Sequence, residues 1–224
     1  MNIRCYVTVR FIQHWFEMMG QDTQDKLREI KGRFRLMMNG VVSQSMREKG
    51  VGYKINWGVS LPLLKNMADE YGKDYDLAIA LWKEDIRECK ILATLIMPAQ
   101  KMSADLVDLW AGQINTQEIA EMLAYNLFQF VDGAKGFAFK WISSGDAVIQ
   151  ICGYNVLSRL FMRNIKLTER DINEFIDQTQ AALSENNVSV QHTALNALKR
   201  FAQMDVEYSS ILKSVIKSCD LGDF

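Results

Sequence analysis

Four basic residues stand in pairs late in the chain. They are Arg159 and Arg163 in "YNVLSRLFMRN" and Lys199 and Arg200 in "NALKRFAQ". On helices, such pairs can meet the phosphates of a nucleic-acid duplex, which supply much of its non-specific affinity. They can equally form an ordinary solvated face, or complement the negative end of their own helix. Nucleophile and base pairings are missing. The two histidines, His14 and His192, sit beside no carboxylate or cysteine at a telling spacing. The sequence contains no GxGxxG, GxxxxGK[ST], HExxH or GxSxG. Any enzymatic chemistry must therefore rest on carboxylates and aromatics, and no metal and no cofactor is expected.

The four cysteines, Cys5, Cys89, Cys152 and Cys219, are scattered without a CxxC pair. This usage fits reduced thiols and a cytoplasmic protein. No apolar run approaches the roughly 18 residues of a membrane span, and "MNIRCYVTVRFIQHWFEMMG" lacks a signal-peptide core and cleavage site. The net charge of −1 offers no bulk attraction to nucleic acid. Its distribution is uneven, with eleven Lys and Arg against five Asp and Glu in residues 1–66, and fifteen against twenty-two thereafter. A basic first third can meet phosphate, or "DKLREIKGRFR" can be one solvated helix face.

The elements that must position these residues read as helices. Only Pro62 and Pro98 interrupt 224 residues, and glycines are few. "TQDKLREIKGRFRLMMN" carries Leu27, Ile30, Phe34, Met37 and Met38 as one apolar stripe. "LPLLKNMADEYG" is a helix with Pro62 in its first turn and Gly72 as its stop. Helix pairs follow, whose first members begin near residues 75, 103, 134 and 168. The recurring unit of about thirty residues is shorter than a HEAT repeat. The expected fold is all-α, an α-α superhelix of irregular stacked helical hairpins, α-solenoid-like. Residues 1–20 are read as an extension of uncertain order, and 21–224 as one domain. Asp85 with Glu88, and Asn115 with Glu118, fit capping boxes, and Thr168 can cap the helix that it precedes. Trp82 and Trp110 are expected in the core, and His192 on or near the surface.

"NWGVSLPLLKNMADEYG" followed by "LAIALWKEDIRECKILATLIM" resembles the AlkD-like DNA alkylation repair family. The resemblance lies in Trp57, Gly58, Val59 and Pro62, and in Leu81-Trp82 before Arg87-Glu88. "MNGVVSQSMREKG", "KWIS" and "LKRFA" add to it, and it extends from about residue 22 to the end. It implies a fold of HEAT-like hairpins whose concave face binds double-stranded DNA. It also implies a monofunctional glycosylase that excises N3- and N7-alkylated purines without flipping the base. In the family, an Asp stabilises the cationic sugar as the bond breaks, two Trp pack on the sugar-phosphate, and an Arg contacts the backbone. On this chain those positions fall on Thr116 and on or beside Asn196 for the Trp residues, on Ala120 for the Asp, and on or next to Ile151 for the Arg. None matches.

Glu121, one residue past Ala120, is the surviving candidate carboxylate, although one residue is a rotation of about 100° around a helix. Glu118 has the simpler task of capping. The expectation is DNA binding through Arg159, Arg163, Lys199 and Arg200, with alkylpurine excision weak or lost. The alternatives are an active glycosylase using Glu121, and a scaffold that takes a protein partner in its groove.

Overall fold

A computed structural model describes residues 3–49 and 52–219, with side chains from residue 20 onward except at 218. The side chains of the expected extension, including Cys5 and His14, lie outside the described residues. Among the described residues the chain is all-α. Its only strand-like feature is a single parallel bridge between Ile55 and Ile86. The expectation of paired HEAT-like helices is met. Chain contacts divide the protein into two compact units, residues 1–98 and 99–224.

The first unit holds α1 (Ile3–Leu36), α2 (Gly40–Glu48), α3 (Leu61–Tyr71), α4 (Tyr75–Lys83) and α5 (Arg87–Ile96). The apolar stripe of α1 buries Leu27, Ile30 and Phe34. Met37 and Met38 leave the stripe because the helix ends at Leu36, and Met38 is exposed. Ser60 precedes α3 and Pro62 occupies its first turn, where no intrahelical N–H is needed. Gly72 ends α3 at φ 67°, a conformation that costs a β-carbon but not glycine. Asp74 caps α4 by accepting the Leu77 N–H at 3.0 Å.

Glu88 departs from the expected capping box. Helix α5 begins after Ile86 with no side-chain cap, and the Glu88 carboxylate turns into the core, fully buried. There it accepts the backbone N–H groups of Trp57 and Val59, each at 3.2 Å. The guanidinium of Arg87 is also buried. It reaches Glu88 at 3.2 Å and donates to the Val59 carbonyl at 3.0 Å. A capping box satisfies donors of its own helix, whereas this carboxylate satisfies donors of a segment about thirty residues away. The same segment is also bonded to the start of α2, where Ser43 Oγ donates to the Asn56 carbonyl at 2.6 Å and Asn39 N–H to the Trp57 carbonyl at 2.8 Å.

Gly58 sits at φ 70° inside this clamp. A β-carbon there would collide with the Asn39 carbonyl and lie 2.8 Å from the Ser43 nitrogen. The sequence Trp57-Gly58-Val59 thus describes a loop pressed onto the start of α2 and laced to α5. Trp82 is buried as expected, with the Lys90 ammonium 4.3 Å from its ring centroid.

The second unit holds α6 (Ala104–Ala111), α7 (Gln117–Asn126), α8 (Ala134–Ile142), α9 (Ala147–Met162), α10 (Glu169–Ser184), α11 (Val188–Ala202) and α12 (Tyr208–Ser218). The first members of its pairs begin within a residue of the expected starts. Helix α9 is its centre, packing against α7, α8 and α11. Its residues Gln150 to Leu157 are all buried, and a helix covered all round must be a core helix. Gly153 allows the closest crossing. A β-carbon there would lie 2.9 Å from Ile142 and 3.0 Å from the Ala138 carbonyl of α8. Trp110 is fully buried, as expected.

Thr168 forms the expected cap in full. Its Oγ1 accepts the Asp171 N–H at 3.2 Å, and Asp171 accepts the Thr168 N–H at 2.9 Å. The expected box of Asn115 with Glu118 is not formed, because the cap falls one residue later and puts Ile119 at the third helical position. Thr116, rather than Asn115, caps α7 by accepting the Ile119 N–H at 3.3 Å.

Removing the Glu88 carboxylate should be severe. Glu88→Ala leaves a buried guanidinium and two amides without their acceptor, a loss of about 3–5 kcal/mol. Glu88→Gln keeps one acceptor oxygen and should cost less. Gly58→Ala should lose well over ~1 kcal/mol from strain and collision together. Gly72→Ala, with open space around it, should lose only the strain. Urea midpoints of the four variants check this order, and a Gly58→Ala protein as stable as Gly72→Ala would refute it.

Candidate nucleic-acid interface

The periodicity of α7 places Ala120, Leu123 and Ala124 in the core and leaves Glu121 and Tyr125 partly exposed, one turn apart. On α9, Asn155, Arg159 and Arg163 recur every four residues, so they form one stripe. The two helices pack together and bring these rows into contact. Tyr125 Oη donates to Asn155 Oδ1 at 2.8 Å. Asn155 is itself oriented by donating Nδ2 to the Ile151 carbonyl at 2.9 Å. The guanidinium of Arg159 lies 4.1 Å from the Tyr125 ring centroid. Such stacking fixes an arginine in place while leaving N–H groups at its edge for an anion.

The row continues at the end of α9. Arg163 donates to the Gln129 carbonyl at 2.5 Å and lies 4.9 Å over the ring of Phe130, which is exposed. Asn164 follows in the left-handed region at φ 54° and ends the helix there. Gln129 in turn donates Nε2 to the Tyr125 carbonyl at 2.5 Å. Arg159 and Arg163 are therefore docked on aromatic rings, which a merely solvated helix face does not require. Glu121 accepts from Gln117 Nε2 at 2.9 Å.

Burial pushes the Tyr125 hydroxyl above its ordinary acidity range. The negative charge of Glu121 pushes the same way, and Arg159 opposes both. One aromatic ring thus senses a carboxylate and a guanidinium together.

The structure brings Glu121, Arg159 and Arg163 to this one row. Lys199 and Arg200 stand on the last turn of α11. Lys199 is partly buried, and Arg200 is exposed and turned onto Gln203 Oε1 at 3.0 Å. Tyr125, Asn155 and Phe130 were not singled out from the sequence. Their signal was the four-residue spacing of Glu121 with Tyr125, and of Asn155 with both arginines. Of the positions transferred from the family, Thr116 is the cap of α7. Ala120 is fully buried and Ile151 is 3% exposed. Asn196 is exposed, 3.4 Å from the exposed His192.

Fold and site define a class, an all-α protein of HEAT-like helical pairs that carries an arginine-aromatic row. Residues 43–207 match the family described as DNA alkylation repair enzyme, and the chain belongs to that family. It is also similar to a solved structure described as "a new family of proteins related to the HEAT-like repeat DNA glycosylases with affinity for branched DNA structures". The TM-score is 0.77 at 16% sequence identity, covering 86% of this chain and 82% of that one. That likeness is one of fold. No curated protein matches the chain. No described helix is long and apolar enough to cross a membrane.

The Tyr125 junction can be tested without DNA. Arg159→Ala should raise the Tyr125 pKa further, whereas Glu121→Gln should lower it. NMR of ring-labelled tyrosine, with Tyr125→Phe for assignment, reads both shifts. Shifts of the same sign in the two variants, or no shift in either, would show that the three side chains do not share one environment.

Proposed function

We propose that this chain binds DNA, with branched forms preferred, through the row of Tyr125, Arg159, Phe130 and Arg163, and that its excision of alkylated purines is weak or lost. Membership of a DNA alkylation repair family supports the first part. The affinity for branched DNA named for the structurally similar protein supports the preference. Lys199 and Arg200 are proposed as further phosphate contacts. The observation that carries the loss of excision is the burial of Ala120 and Ile151. The two positions where the family resemblance puts an acid and an arginine are apolar and closed to a ligand.

Catalysis by the family's chemistry needs a carboxylate beside the developing positive charge of the sugar. Glu121 is the nearest available carboxylate. It is rotated about 100° from Ala120 around α7 and points toward the tyrosine and arginine row. A carboxylate there shapes which phosphates the row accepts.

Two assays test the proposal. Fluorescence anisotropy with duplex and four-way-junction DNA should show affinity that falls steeply with salt. Arg159→Ala and Arg163→Ala should each lower the salt slope by about one. Wild-type protein that binds neither DNA at low ionic strength would overturn the binding claim. With duplex containing 7-methylguanine, base release should not exceed the uncatalysed rate. Release that disappears in Glu121→Gln would establish instead an active glycosylase with a displaced carboxylate.

A further inference from the structure

The first unit contains a cleft of about 420 Å³ between α2 and the loop that Glu88 holds. One wall is a single face of α2, namely Gly40, Ser43, Gln44 and Arg47. The other is formed by Ile55, Asn56 and Trp57, with Met38 at its edge. The volume is in the range of small-ligand pockets, and its walls are mixed in character. Trp57 supplies a partly exposed aromatic surface whose position is fixed, with Phe34 at 5.7 Å between ring centroids and its own N–H held by Glu88. Gln44 is an exposed amide that donates to Glu48 at 3.0 Å. Arg47 is exposed, and no ion pair or hydrogen bond among the described residues engages it. Among the basic side chains of this unit, Lys26 pairs with Asp22, Lys31 with Glu84 and Arg33 with Glu70, and Arg47 is the one that lines the cleft.

An aromatic surface, an adaptable amide and an unengaged guanidinium around one cleft match the parts of a nucleotide. The base stacks on the ring, its polar edge meets the amide, and its phosphate meets the arginine. We infer that the cleft between α2 and Trp57 takes a single unpaired nucleotide of a DNA substrate. A base inside a duplex cannot enter a cleft of this size, so the site distinguishes DNA with unpaired bases from intact duplex. The inference rests on the reading that the chain meets DNA. It adds a second contact, with its own ligand chemistry, to the arginine row.

The probe is 2-aminopurine, whose fluorescence is quenched on stacking, used as the deoxynucleoside 5′-monophosphate and as an unpaired base in a bulged duplex. Full-length protein should quench both. Arg47→Ala combined with Gln44→Ala changes only exposed side chains and should leave the fold intact by circular dichroism. It should weaken binding of the bulged duplex by about tenfold, in line with the worth of a charge-assisted phosphate contact and one amide hydrogen bond. Its affinity for intact duplex should change less than threefold. Arg159→Ala should weaken both DNAs alike.

The outcomes separate the two readings. If wild type binds no DNA yet quenches the mononucleotide, and the double variant does not, the cleft serves a free nucleotide and the DNA source is overturned. Quenching of neither probe at millimolar concentration overturns the site. A double variant that still prefers bulged over intact duplex, as wild type does, also overturns it.

Discussion

The buried carboxylate of Glu88 is the constraint on which the first unit depends. A charge out of water is tolerable only when its hydrogen-bonding capacity is filled, and here the partners are two amides and a guanidinium. The amides belong to the loop at Trp57 to Val59, so burying the charge requires that loop to sit against α5. Arg87 binds the same loop through the Val59 carbonyl, which closes the clamp on itself. With the loop fixed, Gly58 can accept the close approach of α2 that no other residue could. One salt-bridged pair thereby sets the position of α2, of Trp57 and of the cleft between them.

The second unit uses a different solution. Its centre is α9, whose middle from Gln150 to Leu157 is covered on every side, and its closest contact is made where Gly153 has no side chain. The price of such burial is that every polar group on α9 must find a partner within the core. Asn155 meets that demand through Tyr125 and the Ile151 carbonyl, and by doing so it orients the tyrosine on which Arg159 stacks. The arginine row is therefore an outgrowth of core satisfaction and has the rigidity of the core behind it. Ion pairs from α8 to neighbouring helices, Lys135 with Asp171 and Lys140 with Asp108, hold the surrounding surface.

Much of the scaffold was legible because it follows from periodicity. The starts of the helical pairs, the stop at Gly72, the cap at Thr168 and the buried tryptophans depend on spacing along the chain and on local chemistry. The role of Glu88 was not legible in the same way. Its spacing from Asp85 satisfies a local capping rule, and nothing nearby shows that the competing partners lie about thirty residues earlier. The row at Tyr125 lies between these cases. The stripe Asn155, Arg159, Arg163 is visible as a four-residue spacing, but its meeting with Tyr125 depends on how α7 packs on α9.

On the proposed reading, the same packing lets the family's scaffold persist without its chemistry. A catalytic carboxylate must face the ligand, and α7 can present a position to the ligand only if that position is not needed to bury α9. At residue 120 an alanine is fully enclosed, and at 151 an isoleucine is. Restoring Asp at 120 in this packing would bury an unpaired charge, which costs several kcal/mol, and so would not by itself restore a site. Glu121 escapes that penalty by standing at the edge of the core, where Gln117 and solvent reach it. From that edge it acts on Tyr125 and, through the ring, on Arg159. On the proposed reading the constellation grades an anion-binding row, and the scaffold serves to hold DNA in place.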